Sequence, residues 1–167
     1  MRECHYSLSP LITKLRAANA NERPALFEQY EPKILSTYGH DTNYALLKSL
    51  LNELKTLKTQ DQPRFVLLIG DYLAHDKYVA YSGDTTEEGY QSFVQKTLLF
   101  LTNEFHNTLP NMPMYAVIGN NDSYQGGYYS NPNVDFYRDL ASMWASFIHR
   151  SKKPHSVFTN ISLRWLL

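Results

Sequence analysis

Phe65-Val66-Leu67-Leu68-Ile69-Gly70-Asp71 and Met114-Tyr115-Ala116-Val117-Ile118-Gly119-Asn120-Asn121-Asp122 decide the fold of this 167-residue chain. Each is a short apolar run with a proline shortly before it, Pro63 or Pro113, and a glycine closing it. That punctuation predicts two buried core strands of an α/β sheet. Between them, residues 87–105 carry Tyr90, Phe93, Val94, Leu98, Leu101 and Phe105 at helical spacing. A strand, helix, strand unit crosses over right-handed and lays its strands parallel, often as neighbours. Their carboxyl ends then point the same way, about 4.8 Å apart, so Asp71 and Asn120 are expected to face one crevice. A carboxylate and an amide oxygen suit a hard or borderline divalent cation.

Three segments, in this order and spacing, resemble the calcineurin-like metallophosphoesterases, and more narrowly their acid sphingomyelinase-like phosphodiesterase branch. They are Tyr38 through Leu51, which opens Tyr38-Gly39-His40-Asp41-Thr42-Asn43-Tyr44, then Gly70-Asp71-Tyr72-Leu73-Ala74-His75-Asp76, and Tyr115 through Tyr124 with its Gly119-Asn120-Asn121-Asp122 core. The likeness covers about residues 30–150, a domain-scale span. It implies an α/β fold, part of an αββα sandwich with parallel core strands and flanking helices. It also implies a site where a divalent pair (Zn, Fe or Mn) activates water against a phosphodiester or phosphomonoester of a small molecule or lipid headgroup. On this resemblance Asp71 matches the bridging aspartate and Asn120 the amide ligand of the second metal. His75 falls where a residue serves the substrate phosphate, and Asp122 matches the carboxylate that orients the catalytic histidine.

The chain departs from that pattern in three places. Asn121 stands where the family has its general-acid histidine, and an amide cannot donate a proton or carry positive charge. The metal-ligating Asp-x-His occurs nowhere in the sequence. After Asp122 only His149 and His155 remain, neither in the Gly-His-x-His setting that completes the family's two metals. The departures predict a polypeptide with little or no activity, read as a single incomplete domain over residues 1–167. The expectation is of a fragment, from a reading frame altered or stopped near residue 158. A degenerate, partner-binding module is the rival reading. A nucleotide-binding domain is weaker, because no glycine-rich phosphate loop opens a helix after either strand.

The flanks add helices. Leu8, Leu11, Ile12 and Leu15 share a face near the start, with Pro24 and Pro32 as interruptions. Asp41 or Thr42 is the expected cap of a helix whose apolar face is Leu47, Leu50, Leu51, Leu54 and Leu57. Residues 134–148 form another, through Phe136, Tyr137, Leu140, Met143, Trp144, Phe147 and Ile148. Two parallel strands make a poor sheet by themselves. Residues 157–166, with weak alternation, are a candidate third strand; otherwise a dimer mate or another polypeptide has to cover the edges.

Composition sets the remaining bounds. With 43% hydrophobic and 14% aromatic residues, the chain is suited to a packed core rather than disorder. Lys+Arg and Asp+Glu are equal at 16 each, so no net basic field draws nucleic acid. One cysteine, Cys4, excludes an internal disulfide. The start lacks an apolar leader stretch, and the core runs are too short to span a membrane. The Gly- and Tyr-rich segment 124–132 is a candidate substrate-contacting loop. Asn121-Asp122-Ser123 and Asn160-Ile161-Ser162 match a glycosylation pattern that is common by chance. His5, His40, His106, His149 and His155 read as surface residues.

Overall fold

The computed structural model describes residues 10–75, 81, 86–124 and 134–148. Its elements run α1 (Pro10–Ala17), a 3-10 turn (Ala20–Glu22), α2 (Arg23–Tyr30), α3 (Tyr44–Gln60), β1 (Val66–Leu68), α4 (Glu87–Thr108), β2 (Met114–Ala116) and α5 (Val134–Ile148). Strands β1 and β2 pair in parallel, with Val66 opposite Met114, Leu67 opposite Tyr115 and Leu68 opposite Ala116. The expected crossover is therefore present, with α4 as its helix. The ladder gains one bond at each end, from Val66 N–H to the Pro113 carbonyl and from Val117 N–H to the Leu68 carbonyl, both 3.0 Å.

The strands are shorter than the five-residue apolar runs, and they are not buried on both faces. Val66, Leu68, Met114 and Ala116 turn toward the helices, Met114 being only 1% exposed. Phe65, Leu67, Ile69, Tyr115 and Val117 turn the other way into solvent, with Leu67 62% and Ile69 84% exposed. An unbroken apolar run carries no alternation, so its sequence does not distinguish one covered face from two.

Helix α4 is the spine. One cluster joins it to α3 and the sheet through Leu47, Leu51, Phe100, Phe105, Leu109, Met114 and Phe147. A second joins it to α5 through Tyr90, Val94, Leu98, Phe136 and Leu140, with Leu73 and Tyr124 from the turns beyond the strands. Thr86 starts α4 by accepting the Gly89 N–H at 3.1 Å. Leu50, expected on the apolar face of α3, is 49% exposed instead. Pro24 does not interrupt a helix but sits in the first turn of α2, where its missing N–H costs nothing.

The cap of α3 is Asn43, not Asp41 or Thr42. Its Oδ1 accepts from Leu46 N at 3.0 Å and Ser36 N at 3.2 Å, while its Nδ2 donates to the Ile34 carbonyl at 2.8 Å. An amide both donates and accepts, so one side chain caps the helix and folds the preceding loop back; a carboxylate or hydroxyl in its place does less. Asp41 is left to face His75.

Arg23 locks the N-terminal helices onto α4. It is 1% exposed, and its guanidinium donates to Thr97 Oγ1 (2.6 Å) and to the Leu15 and Phe93 carbonyls (3.3 Å each), while stacking 4.9 Å above the Phe93 ring centroid. All these partners are neutral, and burial lowers its pKa to about 10. Among the described residues no helix is long and apolar enough to cross a membrane. Leu8, the 125–133 loop, the candidate strand at 157–166, and Cys4, His5, His149 and His155 lie outside the described residues.

Arg23→Ala is expected to destabilise the fold by about 2 to 4 kcal/mol in chemical denaturation, because it empties a packed site and strands buried carbonyls. Arg23→Lys is expected to recover only part of that loss, since one ammonium does not span the three acceptors of the planar fork.

Candidate functional site

The turn after β1 and the turn after β2 touch backbone to backbone. Gly70 has φ +94°, and a Cβ there would lie 2.3 Å from Gly119 N and 2.7 Å from Gly119 Cα. A Cβ on Gly119 would lie 2.3 Å from Asp71 Oδ1 and 2.4 Å from Asp71 N. Only glycine fits at either position. Asp71 follows Gly70 with φ +57°, a left-handed conformation that aspartate tolerates better than most residues but that still stores local strain. Its Oδ1 accepts the Asn121 N–H at 3.2 Å. The crossover thus brings the Gly-Asp and Gly-Asn turns together, and with them the backbone on which Asp71 and Asn120 sit.

Asp122 holds this junction. Its Oδ2 accepts Gly119 N–H at 2.8 Å and its Oδ1 accepts Leu73 N–H at 3.0 Å, so one carboxylate ties both turns. Its own N–H closes the 119–122 turn onto the Gly119 carbonyl at 3.3 Å. The residue is 1% exposed. Two backbone donors offset the cost of burying the charge. The carboxylate that the resemblance matches to one orienting a histidine here clamps two turns.

His75 lies between two side chains. Its Nδ1 is 3.4 Å from Asp41 Oδ1 and its Nε2 is 3.3 Å from Asn121 Nδ2. Asn120 Nδ2 donates to Asn121 Oδ1 at 3.2 Å, which fixes the Asn121 amide with its NH₂ toward His75. Nε2 therefore accepts and Nδ1 carries the ring proton. The Asn121-Asp122-Ser123 glycosylation match is buried at its asparagine and serine.

A cleft of about 270 Å³ opens beside these turns, walled by Asp71, His75 and Asn121 on one side and by Glu31, Asp41 and Tyr44 on the other. Tyr72, also on its wall, donates its hydroxyl to the Leu68 carbonyl at 3.0 Å and is pushed up to about 12, chiefly by burial. Glu31 accepts the Tyr44 N–H at 2.7 Å. Burial raises its carboxyl pKa, partly opposed by that hydrogen bond. Of the expected site residues, the cleft gathers Asp71 and His75 together with Asn121. Asn120 is not among its lining residues, and Asp122 lies beneath it. Glu31 and Asp41 were not anticipated here. Asp41 stood in a quoted motif but read as a helix cap, and nothing local marks Glu31, which reaches the cleft only through packing of α2 on α3.

The described residues do not fit a divalent pair. Among them no three His, Cys, Asp or Glu side chains gather closely enough to hold one ion. Each metal needs roughly four or more donors. Asp122 has both oxygens committed to backbone donors, and Asp71 has one.

A family model described as calcineurin-like phosphoesterase matches residues 16–165. No curated protein and no solved structure matches the chain significantly.

Asp122→Asn presents an NH₂ to one of two N–H donors and is expected to cost about 1 to 3 kcal/mol in urea unfolding. Glu31→Gln checks the cleft's electrostatics. A carboxyl with a raised folded pKa contributes stability at low pH that is lost as pH rises through that pKa. The amide variant is therefore expected to melt higher than wild type at neutral pH, with the difference shrinking as pH falls and gone only well below the free glutamate pKa of about 4.3, where neither carries charge at this position.

Proposed function

Because this chain belongs to the calcineurin-like phosphoesterases, a family of hydrolases that generally bind a divalent metal pair, we propose that it descends from a phosphodiesterase of the acid sphingomyelinase-like branch and has little or no hydrolytic activity as this polypeptide. In that reading the chain is part of an αββα sandwich, Asp71 occupies the bridging position, Asn120 the second-metal amide position, and His75 the substrate phosphate position. Asp122 serves as the brace beneath them. A metal pair, where bound in the family, supplies an activated water and charge neutralisation at phosphorus. This chain's described residues fall short of holding one, so no hydrolytic step is assigned to them.

The observation that carries the proposal is the Asn121 amide between Asp71 and His75. Its backbone N–H occupies Asp71, and its NH₂ occupies His75 Nε2. Neither contact offers a proton to a leaving oxygen. The other ring nitrogen of His75, Nδ1, faces the Asp41 carboxylate at 3.4 Å. A missing general acid removes on the order of 100- to 10,000-fold in rate. The cleft beside it is large enough for a phosphoester headgroup but presents Glu31, Asp41 and Asp71 to it, carboxylates that disfavour an anion without an intervening cation.

The rival reading, a scaffold that binds a partner, is favoured by one further observation: the bare apolar face of the sheet.

Freed of contaminating phosphatases and supplied with Zn²⁺ or Mn²⁺, the polypeptide is expected to hydrolyse bis-(p-nitrophenyl) phosphate no faster than Asp71→Asn does. Turnover by wild type that disappears in Asp71→Asn would overturn the proposal.

A further inference from the structure

We draw no further inference here: the strongest candidate, the cleft wall where Glu31, Asp41 and Asp71 would suit the cationic group of a ligand, is a cluster of carboxylates in the site already described, with no second feature among the described residues that points to a ligand there.

Discussion

The Asp122 carboxylate is the interaction on which the rest of the site depends. Two strands paired over three residues each form a weak unit. What makes their carboxyl ends a defined place is the clamp from Asp122 to Gly119 N–H and Leu73 N–H, one donor on each turn. The clamp works because glycine at 70 and 119 lets the two backbones touch, and because Asp71 accepts a left-handed φ between them. Charge-assisted bonds to a buried carboxylate are stronger than neutral ones, and here two of them span elements about 50 residues apart in sequence.

Much of this was legible in the sequence, and the physics says which parts. Helix α5 matches the expected 134–148 segment, and α4 runs three residues past the expected 105, because apolar periodicity over several turns is a strong signal. The parallel pairing of β1 with β2 followed from the strand, helix, strand order, since a crossover helix returns the chain to the end where the first strand began. The strands' bare face was hidden, since runs such as Phe65-Val66-Leu67-Leu68-Ile69 are apolar on both sides. The α3 cap was misplaced by one or two residues because Asp41, Thr42 and Asn43 are all competent caps, and only the loop from Ile34 to Ser36 selects the amide. At the site, the quoted motifs located Asp71, His75 and Asn121 on one cleft wall. Motif spacing is silent on hydrogen-bond allegiance, so the bracing role of Asp122, the Asn120 to Asn121 contact and the approach of Glu31 emerged only from packing.

In this member of the phosphoesterase family the frame of the two turns is in place, and the polar groups upon it pair with one another. The strand, helix, strand frame and both glycine turns persist. The polar groups at their junction, however, satisfy one another: Asp122 with backbone N–H groups, Asn121 with Asp71 and His75, Asn120 with Asn121. A self-satisfied network is stable without a cation, and recruiting one means breaking contacts already made. The sheet's apolar face adds a second, independent demand, for a covering surface.

Elemental analysis of metal per chain, on protein purified without chelator and compared between wild type and Asp71→Ala, tests the account most directly. A self-satisfied junction predicts no stoichiometric zinc, iron or manganese in either. Near-stoichiometric metal in wild type that is lost in Asp71→Ala would contradict the account, because the site would then be completed by ligands beyond those gathered at the two turns.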